Sequence, residues 1–500
     1  MIITIDNNIR IPLTDLPPGA ADEIKARMTF SNPEYWKAKA RLKSMGRVNS
    51  IPRGSDKKPI PEVISQWQEK AGNLLLPRGV ISELITMFPG TQVIDMTRRL
   101  PNVEFKFLKN LRPYQQEATT AMLARRFGTL ICPTGGGKTV MGTYAIAIRK
   151  QPTCIVVHTN KLLRQWAERI AGSKDHDPQL DVRHDEIGYI AEGNVKIGKR
   201  ITIALVQTLR KHIYEVRHHF GHFLFDECHH LPAEATFHQV ATACDSYFFT
   251  GVTATPKRAD GKSPLIFWNL GPIVHEVSYS RLVREGWILL PTPIIRQTSF
   301  QSNIGVFNVD DYNDLQDEQK QKIQRERAVE KSNLITELIH DSNRNNMIRD
   351  DIILELANGG GPCLILSDRT DHCDLLGKLL NNYGIPTGVS HGKLKRKEQN
   401  IAEMALRHGK VKVLAATGQL LGEGFDEAVP SALFLVTPLS FSERLKQYLG
   451  RIGRPAEDKA AKVYDYQDIH CEPLMRSARE RMRTYKALIR LAKGPTPKEK

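Results

Sequence analysis

Two short segments carry side chains that could do chemistry on a phosphate. The first is CPTGGGKT, residues 132–139. It follows the apolar run TLIC and precedes the helix-like VMGTYAIAI, the strand–loop–helix order that a phosphate-cradling loop requires. Within it Thr134 opens the turn, and Gly135, Gly136 and Gly137 let backbone N–H groups face phosphate oxygens with no Cβ in the way. The N-terminus of the next helix adds positive potential, Lys138 neutralises β/γ-phosphate charge and Thr139 can hold Mg2+. The implied ligand is ATP or GTP. Cys132 stands where such loops usually begin with a glycine.

The second segment is FLFDECHH, residues 223–230. Asp226 and Glu227 come directly after an apolar strand, where an acidic pair can reach a metal at the phosphate loop. Asp226 would hold Mg2+ through water, and Glu227 would orient and deprotonate an attacking water. Cys228, His229 and His230 share one strand end and cannot by themselves close a tetrahedron, so zinc is rejected. His229 is read instead as a link between the nucleotide site and its neighbours.

These groups need a scaffold, and the apolar pattern describes one. Short apolar runs at 129–132, 154–158, 201–206, 222–226 and 247–254 each end where polar residues or glycine begin, and amphipathic stretches separate them. That is a parallel α/β sheet, whose ligands bind at the strand carboxyl ends. A second series, at 362–367, 388–391, 411–417, 431–438 and 460–466, predicts a second α/β lobe. Between them lies a polar stretch with a helical pattern over 314–343.

The expected organisation is an N-terminal accessory domain at 1–105, possible in nucleic-acid binding, a first lobe at 106–296, a connection at 297–350, a second lobe at 351–472 and a basic helix and tail at 473–500. The basic stretch 35–47 holds Tyr35 and Trp36, which serve equally as nucleic-acid contacts or as core anchors of the small domain. The terminal helix, with seven Lys and Arg residues between 473 and 493, is open in the same way between a solvated face and a DNA contact.

At 500 residues, with 41% apolar and 25% charged residues, the chain is a multidomain globular protein rather than a disordered one. Its formal charge of +16 favours a polyanionic partner, because clustered cations gain affinity for phosphate backbones through counterion release. None of the seven cysteines falls in a C-x-x-C spacing, which suits a reducing compartment. With no apolar stretch of transmembrane length and no signal-peptide pattern, a cytoplasmic location in a bacterial or phage-infected cell is expected.

The DECH tetrad is a variant of the DEAH box, and the whole set of segments resembles superfamily 2 helicases. The resemblance implies two tandem RecA-like parallel-sheet lobes, ATP and Mg2+ as cofactors and a nucleic acid as track. LRPYQQEA (111–118) is similar to the family's adenine-recognition segment, with Gln115 on the adenine edge and Arg112 assisting, although Pro113 as a helix start explains it equally. HTNKLLRQW (158–166) and VQTL (206–209) are similar to the strand-contacting motifs Ia and Ic. They imply nucleic-acid contacts at Thr159, Arg164, Gln207 and Thr208. TATP (253–256) resembles motif III, which couples nucleotide state to strand grip.

In the second lobe ATGQLLGEGFD (416–426) resembles motif V, implying a nucleic-acid contact at Thr417 and nucleotide contacts at Gly424 and Asp426. QYLGRIGR (447–454) is similar to motif VI. There Arg451 and Arg454 lie three apart on one helical face and would act as arginine fingers, with Gln447 one turn earlier placing water or phosphate. TATPKRADG (253–261) resembles the XPB-type branch and its R-E-D signature. Arg258, implied to contact DNA, and Asp260 match, and Ala259 replaces the glutamate. The N-terminal segments 30–47 and 74–84 resemble a region of phage and mobile-element members.

The expected function is an ATP-driven DNA helicase or translocase acting on forked or branched DNA, with no membrane role. The competing readings are the translocating subunit of a restriction or defence complex, an RNA helicase and a nucleotide-gated clamp.

Overall fold

The structure is a computed structural model. It describes residues 1–500 apart from 44–49, 54–57, 175, 231–233, 257, 259, 303, 305–316, 419–429, 440–441, 454–459 and 494–500, and apart from the side chains of 234–236, 317–326, 328, 442–443 and 493. The chain forms two compact units, Met1–Pro133 with Gly137–Val277, and Thr134–Gly136 with Ser278–Lys500.

The first unit is built on an eight-stranded sheet. Its order is Asn194–Lys196, Gly188–Ala191, Ile201–Leu205, Thr153–Val157, His222–Asp226, Phe248–Thr253, Phe127–Ile131 and Ile273–Glu276, parallel except for the first pair. Four central strands are buried at every position. A strand covered on both faces has no polar side to show, which is why these segments read as unbroken apolar runs.

The N-terminal residues form a five-stranded sheet in the order Gln68–Lys70, Asn73–Leu76, Ile9–Pro12, Ile2–Ile5 and Gln92–Asp95. Ile3, Ile5, Ile9, Ile11 and Leu74 share one apolar cluster with Phe127, Phe223 and Phe249 of the large sheet. Gly79 lies at that junction, where a Cβ would come within 2.4 Å of the Phe267 carbonyl oxygen. Beside it the Arg78 guanidinium rests 3.7 Å from the Phe249 ring centre and donates to the Ser246 carbonyl at 3.0 Å.

The second unit holds six parallel strands, Thr292–Thr298, Lys462–Asp468, Ala432–Leu435, Cys363–Ser367, Val413–Thr417 and Thr387–Ser390. Strand Lys462–Asp468 uses the two-residue period to address two helices. Lys462 and Tyr464 bond Glu355, Tyr466 bonds Asp351 and Asp468 bonds Arg344, all on helix Ser342–Ala357. Asp465, on the opposite face, receives Arg481 and Tyr485 from helix Glu472–Lys493. The terminal helix expected from its charge is therefore present, with Arg481 inside the unit and Arg476, Arg479, Arg483, Lys486 and Arg490 exposed. No helix among the described residues is long and apolar enough to cross a membrane.

Candidate nucleotide-hydrolysis site

Because the central strands of the first unit run parallel, their carboxyl ends converge on one edge, and the nominated residues gather there. The strand Phe127–Ile131 leads into the loop, and the helix Lys138–Arg149 follows it. Gly135 and Gly137 adopt φ of 88° and 82°, a region in which a Cβ is strained. A Cβ on Gly137 would also lie 2.4 Å from the amide nitrogen of Gln115. Gln115 is buried against the loop, and its Oε1 accepts the Arg112 N–H at 3.0 Å. Cys132 is fully buried, and burial pushes its thiol up to about 12, so the departure from glycine adds an inert apolar side chain.

Strand His222–Asp226 delivers the acidic pair. Lys138 Nζ lies 3.2 Å from Glu227 Oε1, and His229 Nδ1 lies 3.3 Å from Glu227 Oε2. The same His229 nitrogen is 2.9 Å from Thr253 Oγ1, which also accepts the Thr255 N–H at 3.2 Å. His229, expected to link the nucleotide site to its neighbours, thus contacts both Glu227 and the TATP segment. Glu227 has φ of 47°, left-handed for a residue with a long side chain. Such strain persists where the surrounding bonds fix it, here with Asp226 Oδ1 accepting the Glu227 N–H at 2.9 Å.

Charge in the pair is unevenly shared. Burial raises the Glu227 carboxyl, but Lys138 and His229 outweigh it and hold the group well below the usual carboxylate range. Burial raises Asp226, the Glu227 charge adds to that, and Lys138 and the Trp166 bond only partly offset the rise. Glu227 is thus held ionised, while Asp226 is electrostatically costly to leave charged without a cation.

The donor set fits a nucleotide polyphosphate with Mg2+. The glycine cradle puts no Cβ between its backbone and a phosphate, and Lys138 supplies the cation. Among the described residues no three His, Cys, Asp or Glu side chains group as a metal cage. Mg2+ would rest on Asp226 and Thr139 with phosphate and water oxygens, the coordination this ion ordinarily takes, and would offset phosphate charge there.

Of the residues expected to meet nucleic acid, Thr159, Gln207 and Thr208 follow the ends of two neighbouring strands, Thr153–Val157 and Ile201–Leu205. Thr159 caps the helix Asn160–Ala171, its hydroxyl accepting the Leu162 N–H at 3.3 Å, and Arg164 is exposed on that helix. Gln207 is exposed and Thr208 half-buried at the start of helix Val206–Val216, and the Gln207 amide donates to the His158 carbonyl at 3.3 Å. Arg258 is occupied internally, donating to both Asp260 oxygens and to the His229 carbonyl. Trp36 is 50% exposed on helix Pro33–Lys43, which has no buried residue, so the core-anchor reading does not hold for it. In the second unit Thr417 ends strand Val413–Thr417, and Gln447 and Arg451 lie one turn apart on helix Ser442–Ile452. Gly424, Asp426 and Arg454 lie outside the described residues.

Sequence reasoning missed Trp166. Its indole N–H donates to Asp226 Oδ2 at 2.8 Å, and nothing in a tryptophan on an amphipathic helix announces a polar duty. Thr253 was legible only as part of a motif.

Comparison with known proteins agrees with this geometry. Residues 108–258 match the family described as Type III restriction enzyme, res subunit, and residues 344–456 match the Helicase conserved C-terminal domain. The DNA 3'-5' translocase XPB2 of Sulfurisphaera tokodaii is 36% identical over 186 residues, 37% of this chain and 40% of that protein. The putative ATP-dependent RNA helicase L396 of Acanthamoeba polyphaga mimivirus is 26% identical over 362 residues, 71% of this chain and 63% of that protein. The matches therefore span less than two thirds of these relatives. Among solved structures, a leucine-to-valine variant of S. cerevisiae Dbp5 bound to RNA and ADP BeF3 aligns over 74% of this chain and 86% of that one, with TM-score 0.51 and 14% identity. This last likeness concerns the fold: tandem RecA-like lobes.

Proposed function

We propose, on the premise that this chain belongs to helicase superfamily 2 on its XPB-like branch, that it hydrolyses ATP with Mg2+ to travel along DNA and to unwind, anneal or branch-migrate it. The observation that carries this reading is the continuous contact from Lys138 through Glu227 and His229 to Thr253. Lys138 steadies the β/γ-phosphates, Glu227 takes the proton of the attacking water, and His229 passes the state of that carboxylate to the TATP segment. Gln115 and Arg112 are assigned to the adenine, Gln447, Arg451 and Arg454 to charge that develops on the γ-phosphate, and Gly424 and Asp426 to the nucleotide. Thr159, Arg164, Gln207, Thr208 and Thr417 grip the backbone, so recognition is by phosphate rather than by base sequence.

DNA with a fork or branch is the favoured track. The relative with the higher identity is named a DNA translocase, and the net charge of +16 suits a polyphosphate. The test is the ATPase rate with duplex, forked and single-stranded DNA and with matching RNA. At least a tenfold stimulation by DNA is expected. Stimulation by RNA alone would replace the substrate class, and no stimulation by any of them would overturn the reading. A second reading, the motor subunit of a restriction or defence complex, draws on the family matched at residues 108–258. Co-purification with a nuclease subunit would favour it.

A further inference from the structure

The helix Asn160–Ala171 has two kinds of residue on it. Thr159 at its start and the exposed Arg164 belong to the face proposed to grip a strand. Leu162, Leu163, Trp166, Ala167 and Ile170 are buried, and of these only Trp166 carries a polar atom on its side chain. That atom is committed: indole Nε1 donates to Asp226 Oδ2 at 2.8 Å, while Asp226 Oδ1 accepts the Glu227 N–H. Each carboxylate oxygen so keeps a lone pair for a metal-bound water, and the plane of the group is set from two sides. Donors behind a ligand fix its orientation and thereby the strength of the metal site.

Trp166 is 1% exposed and has no room to adjust. A Cβ on Gly142, in the helix that follows the phosphate loop, would come within 3.0 Å of both the indole Cη2 and Leu224 Cδ1. The large flat ring is therefore wedged between the phosphate-loop helix and the strand that ends in Asp226. A shift of helix Asn160–Ala171 by about 1 Å would be transmitted through the ring, and a bond of 2.8 Å would lengthen beyond hydrogen-bonding range. A second contact runs beside it, with the His158 ring centre 4.1 Å from that of His230.

We infer that Trp166 is a positioning residue that couples strand engagement on helix Asn160–Ala171 to the metal-holding carboxylate Asp226. The inference rests on the nucleotide and nucleic-acid reading above. In it a bound strand settles the helix, the helix settles the indole, and the indole turns Asp226 into register for Mg2+. By linkage the effect is reciprocal, so Mg2+ with nucleotide strengthens the hold on the strand.

The test uses the full chain and a fluorescent ADP carrying a methylanthraniloyl group, titrated with and without Mg2+ and with and without single-stranded DNA. In the unsubstituted protein DNA should tighten the Mg2+-dependent part of binding. In Trp166→Phe, which keeps the ring and loses the donor, that tightening should shrink about tenfold, while binding without Mg2+ stays unchanged. Gly142→Ala, which presses on the ring from the other side and leaves the donor in place, should weaken the same coupling to a smaller degree. Equal unfolding midpoints for Trp166→Phe and the parent would separate coupling from loss of fold; if Trp166→Phe fails to fold, Gly142→Ala carries the decision. Undiminished coupling in a folded Trp166→Phe, or in Gly142→Ala when that variant decides, overturns the inference alone. Absence of any DNA effect in the unsubstituted protein overturns both the inference and the functional reading beneath it.

Discussion

The two units bury charge in opposite ways. In the first, the deeply buried guanidinium groups have no ion-pair partner among the described residues: Arg78 lies on Phe249 and bonds a carbonyl, and Arg149 bonds the carbonyls of Met122 and Arg125 with His222 beside it. Its site carboxylates, the buried Asp226 and the half-buried Glu227, stand at the sheet edge with Lys138 and Trp166. In the second, carboxylate and cation are joined directly. Arg344 meets Asp468 at 2.8 Å and Arg481 meets Asp465 at 2.6 Å, with every one of those side chains at most 4% exposed. Breaking a buried pair leaves a charge with no compensation, so such pairs fasten helices to a sheet and cannot easily exchange partners. The first unit sets these guanidinium groups against dipoles and ring faces rather than carboxylates, which leaves its acids available for a ligand cation. The contrast separates charge used as a fastener from charge used as a reagent.

The largest effect should come from the reagent side. Glu227→Gln is expected to lower kcat by about 10^3-fold while leaving nucleotide affinity and unfolding free energy within about 1 kcal/mol of the parent. A large loss of stability with turnover intact would move Glu227 into the fastener class. On the fastener side, Arg481→Met should cost about 3 kcal/mol in urea unfolding, and adding Asp465→Asn should restore much of it. If the double variant is no better than the single one, the pair is not what secures the terminal helix.

A third expectation concerns pH. His372 is buried in the second unit, and burial, then Arg344 and His340, push it down to about 3. It stays neutral when folded and takes a proton near pH 6.5 when unfolded. Stability from this group is complete above that value and is lost as pH falls toward 3, which amounts to about 2 kcal/mol at pH 5. His372→Asn should flatten that slope between pH 7 and 5, and an unchanged slope would refute the assignment. The smallest effect is Arg78→Met, at about 1 kcal/mol, because it removes carbonyl bonds and strands no carboxylate. A loss equal to that of Arg481→Met would erase the distinction between the units.

Much of this was readable from the chain, and the reason is physical locality. The phosphate loop and the acidic pair depend on neighbours within a few residues, and the buried parallel strands announce themselves as apolar runs. The strands Gly188–Ala191, Ile273–Glu276 and Thr292–Thr298 escaped because they are partly exposed, so no unbroken apolar run marks them. Arg481 was counted as one of seven basic residues on a helix, since the partner that buries it sits on another element. Trp166 and Asp226 are 60 positions apart, and Arg258, expected on DNA, donates to the His229 carbonyl on another element. Contacts of that kind are properties of the fold rather than of a segment.

The cysteines have a practical consequence. All seven are unpaired and buried, and burial pushes Cys132, Cys363 and Cys373 up to about 12, so at neutral pH none presents a reactive thiolate. The native chain should be almost blind to a maleimide dye. One cysteine introduced at the exposed position Arg164 on helix Asn160–Ala171 would then be the bright label, and its emission could follow that helix through a turnover with every natural residue elsewhere left in place.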